Sequence, residues 1–302
     1  LTTSIYSFQG VVYATNRTKG IFFLKISFQG ELGSYSHQAC SEAFPNAVPL
    51  PCSTFEMAMD QVKEGNSQYT IIPVENSTYG RVADAYYLLP NSGLFIIKEH
   101  FLRVHINLLA LPGVSLSEIK TAMSHTVLLG QCRKFLSKNN IKPLSGIDTA
   151  GSAKIVSESS DRSQSALASP LAGKIYGLDA LGVEIEDMKN NTTRFLIMAN
   201  KKQDLDLSKN AKFMTTIVFQ VRNIPAALYK AMGGFATNNV NMVKLESYMV
   251  SGSFTSTQFY ADIEGHPDEE KVKRALDELI FFTSMFKILG VYECHEFRKF
   301  NS

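Results

Sequence analysis

Four times in the first 160 residues the chain reads as an apolar strand, a polar loop and a helix, and this alternation constrains the fold most. Lys25–Phe28 runs into the loop Gln29–Ser36. Tyr69–Val74 runs into Glu75–Gly80 and a helical stretch from Val82 to Leu89 that Pro90 stops. Ile119–Met123 leads into Ser124-His125 and a helix containing Gln131 and Cys132, and Thr149–Ala153 opens a further helix after a strand. Parallel strands need crossover helices, so strands that alternate with helices predict a mostly parallel α/β sheet up to about residue 200.

Past that point the pattern changes. Asn200–Asn210 is polar, charged and poorly periodic and reads as a linker. Strand Phe213–Val221, helix Ala226–Asn238, strands Met242–Tyr248 and Thr255–Ile263, helix Asp268–Phe282 and strand Lys287–Glu293 then follow. This βαββαβ order is the ferredoxin-like motif. In its second helix Val272, Ala275, Leu276, Leu279 and Phe282 share one face as core, and Pro267 supports the start.

Each loop in the first part delivers hydroxyls or amides to a helix N-terminus, where unpaired N–H groups and the helix dipole favour an anion. In open α/β sheets ligands collect at the carboxyl ends of the strands, where these loops lie. Ser, Thr and Asn also serve there simply as caps, so one loop alone decides nothing. A fifth cluster, Asn190-Asn191-Thr192-Thr193-Arg194, enters the apolar strand Phe195–Ala199 without a carboxylate, histidine or cysteine. Together the loops point to a small ligand with more than one carboxylate. The chemistry narrows to binding, or to a reaction that needs charge placement and a proton donor.

Hydrophobic residues at 45% and charged residues at 19% describe an ordinary globular chain, and a net charge of +2 makes no case for nucleic acid. Cys40, Cys52, Cys132 and Cys294 form no CxxC pair, which fits free thiols in a reducing cytoplasm. Six histidines show no ligand spacing, so neither a metal nor another cofactor is expected, and His37 and His125 read as capping or supporting residues. No stretch reads as a signal peptide or membrane span, and residues 1–22 read as a dispensable extension.

Taken in order, these segments resemble the bacterial prephenate dehydratases. The pieces are Gly33-Ser34-Tyr35-Ser36-His37-Gln38-Ala39, Pro73–Val82, Ser124-His125 with Gln131-Cys132, Thr149–Ala153, and Tyr176-Gly177-Leu178 followed by Asn191-Thr192-Thr193-Arg194-Phe195. Downstream, Pro225–Ala231 with Asn241 and Lys244-Leu245-Glu246-Ser247 looks like an ACT regulatory domain. There are departures. Thr126-Val127 stands where the family has Pro-Gln, Tyr248-Met249 follows Glu246-Ser247 in place of Arg-Pro, and Ala226 opens the usual Gly-Ala-Leu.

The resemblance implies a two-lobed catalytic region, like a periplasmic binding protein, over 23–200, with lobes 23–101 plus 179–200 and 102–178. A linker at 201–212 and an ACT domain at 213–297 follow. It implies Thr193 as the catalytic residue donating to a departing oxygen, and Asn76, Ser124 and Gln131 as substrate-binding, with Thr149 and Ser36 beside them. Arg194 would pair with a substrate carboxylate or form a structural salt bridge with a residue such as Glu75, and Glu75 would orient Asn76 or Arg194. The implied activity is conversion of prephenate to phenylpyruvate without a cofactor, with arogenate as the alternative substrate and a non-catalytic solute sensor as the rival class. The implied effector is L-phenylalanine, held at a homodimer or homotetramer interface by Ala226, Ala227, Leu228, Asn241, Glu246 and Ser247.

Overall fold

The computed structural model describes residues 4–8, 11–15, 23–207, 211–249 and 257–299. The proposed start of the third C-terminal strand, at 255, and residues 208–210 of the linker lie outside them. The chain opens with an antiparallel pair, β1 (Ser4–Phe8) and β2 (Val11–Thr15). β3 (Lys25–Gln29), α1 (Tyr35–Ala43), β4 (Val48–Cys52), α2 (Phe55–Lys63), β5 (Tyr69–Asn76), β6 (Gly80–Arg81), α3 (Ala83–Leu88) and β7 (Phe95–Arg103) make the first lobe. The second lobe contains β8 (Asn107–Ala110), β9 (Thr121–Ser124), α4 (Thr126–Gln131), α5 (Arg133–Lys138), β10 (Lys142–Ser145), α6 (Thr149–Glu158), β11 (Gln164–Ala168), α7 (Pro170–Tyr176) and β12 (Asp179–Gly182). β13 (Thr192–Ala199) returns to the first lobe.

The C-terminal unit is β14 (Phe213–Val221), α8 (Ala227–Thr237), β15 (Met242–Met249), β16 (Thr257–Glu264), α9 (Glu270–Phe281) and β17 (Thr283–Glu293), followed by α10 (Glu296–Lys299). Its four strands pair antiparallel in the order β15-β16-β14-β17, as the βαββαβ pattern requires. Val272, Ala275, Leu276 and Leu279 are buried in its core and Phe282 packs against them.

Each catalytic sheet is parallel along one side, in β4-β3-β5 and β10-β9-β11, with β4 and β10 at the edges. Antiparallel pairs arise where the chain crosses between lobes: β13 lies between β5 and β7, and β8 between β11 and β12. One expected boundary moves. Asp179–Gly182 pairs with β8, so the return to the first lobe comes after Gly182 rather than at 178. Gly177, left-handed at φ +64, ends α7 and turns the chain directly back onto β8.

The first lobe and the C-terminal unit do not form separate sheets. β17 joins β7 through one parallel pair, Gly290 opposite Ile96, which makes a continuous ten-stranded sheet. A Cβ at Gly290 would collide with the Ile96 carbonyl, so only glycine lets the two strands meet. A shared core explains why they stay together. Tyr86 and Leu89 of the first lobe pack with Tyr248, Tyr260 and Tyr292, and the Tyr86 and Tyr260 rings meet edge-on at 4.8 Å.

Candidate active site

Between the lobes lies a cleft of about 520 Å³, at the carboxyl ends of β3, β5 and β9. Two longer helices start at its walls. Ser34 caps α1, its hydroxyl accepting from the His37 N–H at 3.2 Å, and this brings Ser36 to the cleft. Asp148 caps α6, its carboxylate accepting from the Gly151 N–H at 2.5 Å, and this brings Thr149 there. The first turn of each helix thus adjoins the cleft, where the N-terminal end of a helix favours an anion.

The remaining wall is the entrance of β13 against the end of β5. Thr193 lies opposite Asn76 on one side and Leu102 on the other. The Asn76 carboxamide oxygen accepts from the Thr78 and Tyr79 N–H groups at 2.9 and 3.0 Å, which fixes the amide's orientation. Its NH₂ therefore faces the cleft and donates to Asn191 Oδ1 at 2.6 Å and to Thr193 Oγ1 at 3.0 Å. Asn191 in turn donates to Gln131 Oε1 at 2.8 Å, so a row of amides runs from the first lobe to α4 of the second. Because Thr193 Oγ1 receives a proton donor, its own hydrogen is available to something in the cleft.

Ser36, Asn76, Gln131, Thr149 and Thr193 thus come together; three other expected residues do not. Ser124 is fully buried, and its hydroxyl donates to the Leu167 carbonyl on neighbouring β11 at 2.7 Å. Its neighbour His125 lines the cleft instead and caps α4 through Nδ1, which accepts from the Val127 N–H. Arg194 and Glu75 lie behind the sheet. Successive strand residues face opposite sides, so with Thr193 and Asn76 in the cleft their neighbours must point away. The Arg194 guanidinium is buried, donating to Glu99 at 2.9 Å, Asp262 at 2.5 Å and Tyr292 at 2.9 Å. Glu75 is 3.9 Å from Arg194 and accepts from Lys244 Nζ at 2.7 Å. The pairing of Arg194 with a protein carboxylate is therefore the correct alternative, with Glu99 and Asp262 as its close partners.

Tyr79, Arg81, Asp148 and Asn191 line the cleft without having been singled out. Asn191 was legible as part of the polar cluster, and Tyr79 and Arg81 as part of the loop after β5. Tyr79 donates to the Val127 carbonyl at 3.1 Å and so bridges the lobes. Arg81 is the one Lys or Arg side chain among the lining residues, and it donates to the Ser247 carbonyl of β15 at 2.7 Å.

Burial lowers the His37 pKa from 6.5 to about 4, and the neutral ring accepts from the Gly33 N–H at 2.9 Å through Nδ1. Burial also pushes the Tyr35 phenol up, helped by the thiol of Cys132 and the carboxylate of Glu186. Tyr35 donates to the His105 carbonyl. His105 Nδ1 lies 3.4 Å from a carboxylate oxygen of both Glu184 and Glu186, the one place among the described residues where three or more His, Cys, Asp or Glu side chains bring such atoms within 4.8 Å of one another. Cys40, Cys52 and Cys132 are buried and unpaired.

Of the expected effector residues, Ala226 is left-handed at φ +58 before α8, Ala227 is buried, and Leu228 packs on the C-terminal core. Asn241 lies beyond the other end of α8, which has 11 residues and so spans roughly 16 Å. Glu246 and Ser247 occupy opposite faces of β15. The Glu246 carboxylate turns toward Lys244 and Arg81 of the cleft rim, so it is removed from the helix face.

The family model described as prephenate dehydratase matches residues 26–203. A bifunctional N-acyl-homoserine lactone acylase/prephenate dehydratase of Komagataeibacter europaeus is 44% identical, covering 91% of this chain and 97% of that protein. Arogenate dehydratase/prephenate dehydratase 1, chloroplastic, of Arabidopsis thaliana is 37% identical over 89% of this chain and 72% of its own length. Among solved structures, a prephenate dehydratase from Arthrobacter aurescens in complex with L-Phe has a TM-score of 0.80 at 27% identity, covering 89% of this chain and 90% of that one.

Proposed function

The chain belongs to the prephenate dehydratase family of carbon–oxygen lyases, and from that premise we propose that it converts prephenate to phenylpyruvate in L-phenylalanine biosynthesis. In this reaction the ring carboxylate leaves as carbon dioxide. Its bonding electrons pass through the ring, and the hydroxyl opposite departs, taking up one proton to become water. Aromatisation supplies the driving force, so the protein's task is positioning and charge stabilisation.

The observation that carries the reading is the Asn76–Thr193 hydrogen bond. It leaves the Thr193 hydrogen to bond the departing oxygen, so Thr193 acts as the donor at the leaving group. Ser36 and Thr149, at the starts of α1 and α6, with Gln131 and Arg81, hold the carboxylates. Thr193→Ala should lower kcat by at least ~10²-fold, the lower end of what general-acid assistance contributes. Phenylpyruvate formation from prephenate, with arogenate in parallel, checks this. A variant that keeps its kcat removes Thr193 from the mechanism, and turnover of arogenate alone reassigns the substrate.

We read the C-terminal unit as an ACT regulatory domain that binds L-phenylalanine across a homodimer. Ala226–Leu228 and Asn241 stand at opposite ends of α8, so both sets can touch one small ligand only if a second copy supplies one of them. The unpaired cysteines support a reducing, cytoplasmic setting. The bifunctional Komagataeibacter relative supports a second reading, hydrolysis of N-acyl-homoserine lactones. The apolar part of the cleft, with Val127, Leu128 and an almost fully exposed Ile147, offers an acyl chain a surface. Release of homoserine lactone by the purified chain decides it.

A further inference from the structure

Thr193 and Asn76 form the hydrogen bond at the cleft, and the residue beside each one is gripped from behind by the C-terminal unit. Next to Thr193, Arg194 donates to Asp262 of β16 and Tyr292 of β17. Next to Asn76, Glu75 accepts from Lys244 of β15. At the centre of the back-face network Arg194, Glu99, Asp262 and Tyr292 are buried, and Glu75 beside them is partly exposed. Thr216 donates to the second Asp262 oxygen at 2.6 Å, and Arg298 of α10 donates to both Glu99 oxygens at 2.6 and 2.8 Å. Two guanidiniums thus face two carboxylates, and each guanidinium–carboxylate contact in it is a short hydrogen bond.

The register shows why these grips matter to the cleft. Arg194 pairs with Glu75 but Phe195 pairs with Pro73, so the ladder between β13 and β5 is broken by a bulge immediately behind the Thr193–Asn76 pair. A bulge re-aims side chains locally, and here it does so on the β5 side while the β7 ladder runs on unbroken past it. The β7 ladder holds the Thr193 backbone and the Thr78 and Tyr79 N–H groups hold the Asn76 amide, and across the bulge the anchorage of Arg194 and Glu75 adds a side-chain constraint on the distance between Thr193 Oγ1 and that amide.

We propose that Lys244 and Tyr292 are positioning residues for the dehydration, acting through Glu75 and Arg194 to hold Thr193 on the Asn76 amide. The proposal rests on Thr193 being the donor to the leaving oxygen. It makes the C-terminal unit part of the catalytic apparatus whether or not an effector is bound. Because the reaction depends on geometry, a displacement near an ångström costs on the order of 10²-fold in rate.

The test uses the full chain carrying Lys244→Met, Lys244→Arg and Tyr292→Phe, with thermal melting to show that each is folded at the assay temperature. Lys244→Met and Tyr292→Phe should lower kcat by about 10- to 100-fold while KM stays within roughly twofold, since positioning acts in the transition state. Lys244→Arg, which keeps a cation for Glu75, should recover most of the rate. A purely structural role would leave kcat untouched in a folded variant. The Thr193 methyl resonance, assigned by its loss in Thr193→Ser, is followed as a readout independent of turnover. It should move in Lys244→Met, where no aromatic ring has been altered. Wild-type kcat with an unmoved methyl in both Lys244→Met and Tyr292→Phe overturns the proposal. A wild-type chain inactive on prephenate sinks the activity itself, while the methyl signal still reports whether the back-face grip reaches Thr193.

Discussion

His37 is a neutral imidazole under the cleft wall, stacked on Phe28 with parallel rings 5.4 Å apart and accepting the Gly33 N–H. Its folded pKa of about 4 lies below the unfolded value of 6.5, so the unfolded chain binds the proton more readily. The stabilisation is therefore complete above pH 6.5 and is lost as pH falls from 6.5 through 4. At ~1.4 kcal/mol per pKa unit it amounts to about 3 kcal/mol. In His37→Asn, whose amide oxygen can take the place of Nδ1, urea midpoints should lose this slope between pH 6.5 and 4, at some cost in stacking. A slope equal to the wild type's would assign it to other groups. At this scale the sequence was informative about residue types and less so about direction. Asn76, Gln131, Thr149, Ser36 and Thr193 read as cleft residues through the family resemblance, since hydroxyls and amides at strand ends also serve as caps. Strand alternation already forbids Thr193 and Arg194, or Asn76 and Glu75, from sharing the cleft. What no local pattern supplies is which face is the back, because Asp262, Tyr292 and Lys244 arrive from the far end of the chain.

Among the elements, the loop from β3 to α1 shows how closely the lobes meet. Ser169 before α7 donates to the Gly33 carbonyl at 2.5 Å, and Tyr176 donates to the Leu32 carbonyl at 2.9 Å. Gly33 is left-handed at φ +88, and a Cβ there would stand 2.8 Å from the Ala172 Cα. Gly33→Ala should cost about 1–3 kcal/mol in urea denaturation through backbone strain, and it should raise KM by displacing Ser34 and Ser36. Wild-type stability and KM would mean that the loop yields without moving the wall. The helices and strands that build these contacts were legible from periodicity and caps. The end of the second lobe was not. β12 is four residues long, too short for alternation to distinguish it from the loop that carries it.

For the molecule as a whole, the linker suggested independent parts, and the structure instead runs one sheet through both. A composition break marks where the backbone leaves a unit, yet it says nothing about which edges meet afterwards. The meeting of β7 and β17 depends on Gly290. In Gly290→Val the strands must part, and calorimetry should resolve two thermal transitions where the wild type shows one. A single transition at the wild-type temperature would mean that the shared tyrosine core alone couples the parts. This junction also bears on how such proteins can be recombined. A regulatory module taken from another protein and spliced in at the linker would have a free backbone connection but no guaranteed seat. It fits only if its last strand is bare at the position facing Ile96 and carries a phenol, and its third strand offers an acid, both reaching a guanidinium that belongs to its host. Exchange of modules in this architecture is therefore governed by a lock with three tumblers, and the length of the tether is not among them.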